Sequence, residues 1–207
     1  MKIIEPRAAL EYPVDGESVI KTIEKIGRVC YKSEDRITAD SAQKFIQNIL
    51  KSGHESVIEH VSASFRVICD RGVSHEIVRH RIASYSQEST RYCNYAKNKF
   101  GGELTFIKPC FFAEGSAAYE LWRDSMAKAE ECYLRMLADG VEPQHARSVL
   151  PNSLKTEIVI TMNLREWRHF VRLRTSAGSH PQMREIAHMI LRILKDSIPV
   201  LFDEFAT

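Results

Sequence analysis

Residues Arg79–Arg91, with the sequence RHRIASYSQESTR, concentrate basic and hydrogen-bonding side chains in one short stretch. Three consecutive cationic or potentially cationic residues open the stretch, and Arg91 closes it. Between them lie four short polar side chains, Ser84, Ser86, Gln87 and Ser89. Each guanidinium can donate two parallel hydrogen bonds to an anion, and hydroxyls and loop amides add further donors. The stretch therefore predicts a site for a phosphate or a carboxylate.

The start of this stretch continues a predicted helix. Apolar residues at 73, 77, 78 and 82 fall on one side of a helix, whereas the polar run that follows predicts a loop from Ser84 to Arg91. If Arg79 and Arg81 are both helical, a step of about 100° per residue places them on nearly opposite faces. They would then serve two ligands, or a ligand shared with a second subunit. The alternative is a solvated basic helix end, which the helix dipole favours.

Length and composition limit the class of protein. A chain of 207 residues fits one compact domain, residues 1–207, and 44% hydrophobic content is ordinary for a soluble globular protein. A net charge of +2 argues against a general nucleic-acid binder. The sequence has neither a membrane-length apolar run nor a signal peptide, so we expect no membrane partner and a cytoplasmic location. Five scattered cysteines without a CxxC pair fit a reducing compartment.

The periodicity of apolar residues predicts a helix-rich α+β fold. We predict strands at 2–12, 61–69, 104–107 and 156–162, and helices at 16–30, 39–52, 114–139, 164–174 and 182–196. On the 114–139 helix, a stripe of aromatic and methionine side chains recurs every three or four residues, which is typical of a core or a subunit interface. The fold class that follows is a single α+β domain around a mostly antiparallel sheet.

The 164–174 helix carries an arginine in an unusual place. Its apolar face is Leu164, Trp167, Phe170 and Val171, and its polar face is Arg165, Arg168, His169 and Arg172. Arg174 falls on the apolar face, where an unpaired charge would be very costly. Either Arg174 faces a bound anion in a pocket, or it lies past the helix end and reaches water.

Familiar cofactor and metal motifs are missing. The sequence has neither a GxGxxG after a strand nor a GxxxxGK[ST], which argues against a Rossmann site or a P-loop. His54 and His60 are six residues apart, whereas HExxH places its histidines four apart on one helical face, so we predict no metal site. We interpret residues 53–60 as a helix-end loop that offers polar groups to a ligand, or as an ordinary cap.

The central stretch fits the motif RHRxxSxxxxSxR at Arg79, His80, Arg81, Ser84, Ser89 and Arg91. This motif resembles that of the flavin-dependent thymidylate synthases, the ThyX family. The likeness extends along most of the chain, to Arg28-Val29, GHESVIEH at 53–60, HARSVLP at 145–151, Asn163-Leu164-Arg165 and Leu173-Arg174.

The resemblance implies a ThyX-like fold and a definite chemistry. Members of the family make dTMP from dUMP, taking the carbon from 5,10-methylenetetrahydrofolate and the reducing equivalents from NADPH through bound FAD. They are homotetramers whose active sites are shared between subunits. The family's FAD contacts fall on Ser56, Arg79, His80, Arg81, Gln87, Asn163, Arg165 and His169. Its dUMP contacts fall on Glu76, Arg79, Gln87, Glu88, Ser89, Thr90, Arg91, Arg174 and, from a neighbouring chain, Arg147.

By the same resemblance, Arg174 is the catalytic residue. It matches the arginine that holds the uracil ring and favours its N3-deprotonated form, and His54 matches a mobile histidine near the flavin. No cysteine lies in the matched motifs, so the resemblance implies no covalent thiol adduct with dUMP. The sequence departs from members of the family at Gln87-Glu88, where some have Glu-Leu. It also departs at Cys30, where some have Ser, and at His169, where some have Asn.

Two other function classes compete with this interpretation. The same arginines could serve a non-catalytic nucleotide-binding or RNA-binding module, whose affinity would fall steeply with salt. The histidines could alternatively build a metal-dependent hydrolase. The absorbance of the purified protein separates these classes, because only the flavoprotein carries a chromophore.

Overall fold

A computed structural model describes residues 1–205, apart from the side chain at position 98. The fold is α+β and rich in helix, with an antiparallel sheet, as predicted. The strands are β1 (Lys2–Ile4), β2 (Arg7–Leu10), β3 (Ser62–Asp70), β4 (Ser84–Gln87), β5 (Thr105–Ile107) and β6 (Lys155–Asn163). The helices are α1 (Gly16–Val29), α2 (Ser41–Lys51), α3 (Arg71–Ile77), α4 (Ala117–Ala138), α5 (Pro143–Ala146), α6 (Leu164–Arg174), α7 (Pro181–Ser197) and α8 (Pro199–Phe202). Among residues 1–205, no helix is both long enough and apolar enough to cross a bilayer.

The strands form two sheets. The larger sheet has the order β2-β3-β6-β4, and the smaller pairs β1 with β5 in parallel, Lys2 lying opposite Thr105. The prediction of one strand over 2–12 is wrong, since this segment contributes β1 to one sheet and β2 to the other. The break falls at Glu5-Pro6, where proline has no N–H to donate to a strand ladder.

Most other predicted elements are confirmed to within a few residues. The exceptions are short: α5 and α8 were not predicted, and residues 55–60 form a 3₁₀ turn in place of the expected loop. These elements have six residues or fewer, too few for a periodic pattern to appear.

The central stretch differs from its prediction. Helix α3 ends at Ile77, so Arg79 and Arg81 are not helical, and the argument that places them on opposite helix faces does not apply. The predicted loop begins instead with strand β4 at the edge of the larger sheet. Residues in β4 alternate between exposed and half-buried, but three of the four are polar, so the alternation carries no apolar signal.

The chain groups into two compact units. The first unit comprises Met1–Arg7, Val67–Arg79 and Ser86–Ile158. The second unit comprises Ala8–Arg66, His80–Tyr85 and the described residues from Val159 onward.

The core of the first unit forms around α4. Its buried members are Tyr95, Leu104, Phe106, Tyr119, Trp122, Met126, Tyr133, Ala146 and Leu154. Four of them come from the stripe predicted on the long helix, which is therefore core packing. The indole N–H of Trp122 donates to Ser153 Oγ at 3.0 Å, so its one polar atom is satisfied.

The core of the second unit includes Trp167 of α6. Its ring contacts Phe65 edge-on, with centroids 4.9 Å apart, and Phe170 at 5.3 Å. The indole N–H donates to the carbonyl of Ala63 at 3.0 Å. All four residues of the predicted apolar face of α6 are buried, as expected.

Arg168 corrects the predicted polar face of α6. It is only 2% exposed, because residues 201–205, here called the C-terminal segment, pack over it. Its guanidinium donates to the carbonyl of Leu201, to Glu204 at 2.6 Å and to Glu55 at 3.2 Å, and it lies 5.2 Å from the ring centroid of Phe205. These contacts fasten the C-terminal segment to α6.

Gly16, the first residue of α1, tests the packing of the second unit. A Cβ at this position would lie 1.9 Å from the carbonyl oxygen of Ser197, a backbone atom that cannot move aside. We therefore expect Gly16→Ala to lower the free energy of unfolding by about 1–3 kcal/mol, as for other overpacked sites. Urea denaturation at an unchanged m-value is the measurement.

Gly178 supplies the matched control. No heavy atom lies within 4 Å of a Cβ built there, so Gly178→Ala should change the free energy of unfolding by no more than about 0.5 kcal/mol. Equal stabilities for the two variants would contradict the packing described for Gly16.

Candidate active site

His80 lies at the centre of a buried polar cluster in the second unit. It is 4% exposed and packs against the rings of Phe170 and His169, at centroid distances of 4.9 and 5.5 Å. Its Nδ1 lies 3.0 Å from a carboxylate oxygen of Glu166, and its Nε2 lies 3.1 Å from Nε of Arg174. Both ring nitrogens are therefore engaged.

These partners determine where the imidazole proton sits. A guanidinium nitrogen can only donate, so Nε2 of His80 must accept from Arg174 and Nδ1 must carry the proton. The Nδ1–H group then donates to Glu166. Burial lowers the pKa of His80, and the charges of Arg174 and His169 lower it further, whereas the hydrogen bond and charge of Glu166 oppose the shift. His80 is accordingly a neutral imidazole near pH 7.

Local hydrogen bonds hold this cluster in place. The hydroxyl of Tyr85 donates to the carbonyl of His80 at 2.6 Å, and burial raises the pKa of Tyr85 to about 12. Asn163 caps α6, since its side-chain oxygen accepts from the backbone N–H of Glu166 at 2.8 Å. Sequence reasoning missed Glu166, because the spacing Asn163-x-x-Glu166 is typical of a helix cap and indicates no ligand.

Arg174 is the last residue of α6 and is half-buried. The sequence left two possibilities for this arginine, a bound anion in a pocket or an approach to water past the helix end. The structure keeps it within the helix and pairs its Nε with His80. This pairing uses one of the five N–H donors of the guanidinium.

A first pocket lies beside the turn at 53–57, with a volume of about 380 Å³. It is lined by Gly27, Cys30, Tyr31, Phe45, Ile49, Gly53, His54, Glu55, Ser56, Val57 and Arg165. The structure thus brings the predicted FAD contacts Ser56 and Arg165 together with Cys30 and His54. The hydroxyl of Tyr31 lies 2.9 Å from Nδ1 of His54.

A second pocket, of about 490 Å³, lies along the exposed face of α6. It is lined by Glu55, Glu59, Ile82, Asn163, Arg165, Glu166, His169 and Arg172, so it adds two predicted FAD contacts, Asn163 and His169, to those of the first pocket. Arg165 lines both pockets and donates to Glu59 at 2.5 Å. An anion that binds Arg165 must therefore compete with this carboxylate.

The predicted dUMP contacts, other than Arg174, lie in the first unit. The side-chain amide of Gln87 donates to Ser74 Oγ at 2.9 Å and to Thr156 Oγ1 at 3.2 Å. One oxygen of Glu88 accepts from the hydroxyl of Tyr95 at 2.7 Å, and the other accepts from Lys155 at 2.6 Å. These bonds anchor the start of the loop that follows β4. Direct substrate contacts by Gln87 and Glu88 stay predictions.

The rest of this loop forms a turn beside Arg147. The carbonyl of Ser89 accepts from the backbone N–H groups of Tyr92 at 3.2 Å and Cys93 at 2.9 Å. Arg147 donates to the hydroxyl of the buried Thr90 at 3.4 Å. The resemblance implied an Arg147 supplied by a neighbouring chain, whereas here Arg147 meets the loop of its own chain. Its role across subunits stays a prediction.

The remaining predicted site residues divide between the two units. In the first unit, Glu76 is half-buried near the end of α3 and Arg79 is exposed just beyond it. Arg81, in the second unit, is exposed, as is Arg91 in the first. The second unit thus holds Ser56, His80, Arg81, Asn163, Arg165, His169 and Arg174, and the first unit holds Glu76, Arg79, Gln87, Glu88, Ser89, Thr90, Arg91 and Arg147.

The His80 cluster could alternatively bind a metal ion. Among the described residues, donor atoms of His80, Glu166 and His169 lie within 4.8 Å of one another. However, both ring nitrogens of His80 already have partners, and the guanidinium of Arg174 opposes a nearby cation. The histidines first considered for a metal, His54 and His60, are not in this group.

Known proteins resemble this chain over most of its length. Residues 15–200 match the family model described as Thymidylate synthase complementing protein. A flavin-dependent thymidylate synthase of Geobacter sulfurreducens is 33% identical over 202 residues, which cover 94% of this chain and 84% of the relative. One from Pyrococcus furiosus is 38% identical over 161 residues, or 77% of this chain, and the match spans only 65% of the length of that relative.

A solved structure has the same fold. The UMP/dUMP methylase PolB from Streptomyces cacaoi, bound with 5-Br dUMP, superposes with a TM-score of 0.79 at 25% sequence identity. The superposition covers 99% of this chain and 96% of PolB. The match to the family model and the Geobacter relative both run through the central motif, and they show that this chain belongs to the Thy1 family of flavin-dependent thymidylate synthases.

Proposed function

We propose that this protein is a flavin-dependent thymidylate synthase that converts dUMP to dTMP. The carbon donor is 5,10-methylenetetrahydrofolate, and NADPH supplies reducing equivalents through bound FAD. Membership of the family supports the reaction class, and the name of PolB as a UMP/dUMP methylase supports the pyrimidine nucleotide. The family match runs from 15 to 200 and so includes residues of both units, which supports treating 1–207 as one functional domain.

One observation carries the proposal. Arg174, on the otherwise apolar face of α6, has its Nε held at 3.1 Å by His80, the middle residue of the RHR motif. An arginine fixed in this way can present a planar pair of N–H donors to a ligand that gains negative charge. A uracil ring that loses its N3 proton is such a ligand.

The second unit holds six of the eight predicted FAD contacts, and its two pockets support this part of the proposal. The first pocket has an apolar wall that includes Phe45, Ile49 and Val57, which suits a planar ring. Arg165, which lines both pockets, offers donors to an anionic pyrophosphate. Asn163 and His169 would complete the contacts in the second pocket. When bound, FAD supplies the hydride and relays the one-carbon unit.

The chain's own residues would position the nucleotide and stabilise its charge. In the first unit, the loop from Gln87 to Arg91 and the guanidinium of Arg147 offer donors to the phosphate and sugar of dUMP. Arg174 would hold the uracil ring and favour its N3-deprotonated form, an electrostatic effect that grows as charge builds on the ring. No thiol takes part in this scheme. Burial also raises the pKa of Cys69, which opposes a nucleophilic role for that cysteine.

The resemblance to the family also supports a proposal for the assembly and the location. We propose a homotetramer in which each active site draws residues from several subunits, and a cytoplasmic enzyme. Among residues 1–205, none of the five cysteines forms a disulfide, which suits a reducing compartment.

An omission assay tests the proposed function. Purified protein should show flavin absorbance after reconstitution with FAD. It should form dTMP from dUMP only when methylenetetrahydrofolate, FAD and NADPH are all present. If the protein binds nucleotide but has no flavin absorbance and forms no dTMP, the non-catalytic binding module is favoured. If it hydrolyses its substrate only when a divalent metal is present, the metal-dependent hydrolase is favoured. Either result would overturn the proposal.

Arg174→Ala should lower the rate of dTMP formation by roughly a hundredfold or more, the scale observed when a preorganised charge-stabilising donor is removed. Arg174→Lys should recover only part of the rate, because an ammonium group cannot reproduce the two-donor fork. Both variants should keep FAD and still oxidise NADPH through it.

Arg123→Ala is the control for the Arg174 variants, since Arg123 is an exposed residue of α4 that pairs with Glu120 on the surface. It should leave the rate unchanged. A near wild-type rate for Arg174→Ala would mean that Arg174 is only a structural arginine.

A further inference from the structure

We propose that Glu166 is a positioning residue that orients Arg174 through His80. The three side chains form what we call the Glu166–His80–Arg174 triad, in which a carboxylate, an imidazole and a guanidinium follow one another in a line of hydrogen bonds. The inference rests on the proposed function, because it assigns a purpose to Glu166 only if Arg174 acts on the pyrimidine.

Because the triad is buried, its hydrogen bonds determine which nitrogen of His80 carries the proton. Glu166 is 9% exposed and His80 is 4% exposed, so water cannot readily replace a missing partner. The carboxylate of Glu166 can only accept, and Nε of Arg174 can only donate. The imidazole between them must therefore donate from Nδ1 and accept at Nε2.

The other neutral tautomer is strongly disfavoured at this position. It would place the N–H of Nε2 against the N–H of Arg174 and the lone pair of Nδ1 against the carboxylate of Glu166. Both hydrogen bonds would become repulsive contacts in a site with little water. Glu166 thus selects the tautomer of His80 that accepts a hydrogen bond from Arg174.

The selected tautomer fixes the orientation of the guanidinium. Because Nε of Arg174 is bound at 3.1 Å, rotation of the planar group is restricted, and its terminal nitrogens are held in one plane. A donor whose direction is set before the substrate arrives costs no reorganisation when charge develops on that substrate. Glu166 would therefore affect turnover more than nucleotide binding.

Protonation of His80 would break its hydrogen bond with Arg174. An imidazolium has no lone pair on Nε2, so it would repel Arg174 instead of accepting from it. The charged or polar groups facing His80 are Glu166, Arg174, His169 and the hydroxyl of Tyr85, and of these only Glu166 favours the imidazolium by its charge. Replacing Glu166 by a neutral residue should therefore lower the pKa of His80 further.

Glu166→Gln tests the triad, because an amide can donate as well as accept and no longer selects one tautomer. For the flavin-loaded protein, we expect kcat for dTMP formation to fall roughly tenfold or more, as when a carboxylate that orients a histidine is removed elsewhere. The KM for dUMP should change little. The acid limb of the rate profile, where activity is lost as pH falls through the pKa of His80, should move to lower pH.

Two further variants separate positioning from a structural role. Glu166→Asp keeps the carboxylate, so it should keep the acid limb in place and retain more of the rate than Glu166→Gln. Glu24→Gln is the matched control, since Glu24 is a buried carboxylate of the same unit, 1% exposed, that pairs with Arg28 and Ser41. It should lower stability without changing the rate of folded protein or the acid limb.

The tautomer can be measured without turnover. Nitrogen-15 NMR of the imidazoles in FAD-free protein above pH 7 should show His80 with a proton on Nδ1 and none on Nε2, the signals being assigned by their loss in His80→Asn. In Glu166→Gln, only Arg174 still favours the proton on Nδ1, so the spectrum should show a second population of His80 with the proton on Nε2. A proton on Nε2 in the wild-type protein would overturn the proposal whatever the activity.

The outcomes distinguish this inference from the proposed function. If the wild-type protein forms dTMP and Glu166→Gln matches it in kcat and acid limb, the positioning role is wrong and the function stands. If the wild-type protein forms no dTMP in the complete assay, the function fails and the positioning role fails with it. If Glu166→Gln does not fold, the comparison of Glu166→Asp with wild type decides, and a shift of the acid limb in that variant would contradict the proposal.

Discussion

A guanidinium nitrogen can donate a hydrogen bond but cannot accept one, and this constraint governs the His80 cluster. Because Nε of Arg174 lies 3.1 Å from His80, that imidazole must offer a lone pair and carry its proton on the other nitrogen. Glu166 lies where that proton points, at 3.0 Å. A buried histidine of this kind is held neutral by its surroundings, so its role is to orient and not to transfer a charge. The direction of the Arg174 side chain thus depends on a carboxylate eight residues earlier on the same helix.

Helix α6 connects this cluster to the rest of the second unit. Its faces have separate tasks: Trp167 packs in the core, Arg168 holds the C-terminal segment, and Arg165 lines the two pockets. The Asn163 cap and the core packing fix the helix, so the polar side chains leave it in defined directions. A site built on a packed helix is positioned more accurately than one on a loop. The loop after β4 in the first unit is not on a helix. Its position is held instead by the hydrogen bonds of Gln87 and Glu88.

The sequence predicted the parts of the fold that rest on long periodic patterns. The apolar face of α6 and the core stripe of α4 were predicted correctly, because each repeats an apolar signal over several turns. Strand β4 was missed, since three of its four residues are polar and its pairing is decided by the sheet. Arg168 was misplaced on a solvent face because its partners Glu55 and Glu204 are distant in the sequence. Glu166 escaped notice for a similar reason: its local spacing indicates a helix cap, and its contact with His80 joins residues 86 positions apart. The unusual position of Arg174, by contrast, could be predicted, because helical periodicity alone places this charged residue on the apolar face of α6.

The most direct measurement is a crystal structure of the protein with FAD and dUMP bound. We expect the terminal nitrogens of Arg174 to contact the uracil ring while its Nε still donates to His80, and Glu166 to remain within hydrogen-bond distance of Nδ1. The flavin should contact Arg165 and His169. A complex in which Arg174 points away from the nucleotide, or in which His80 contacts neither Glu166 nor Arg174, would contradict the positioning of Arg174 by His80 and Glu166.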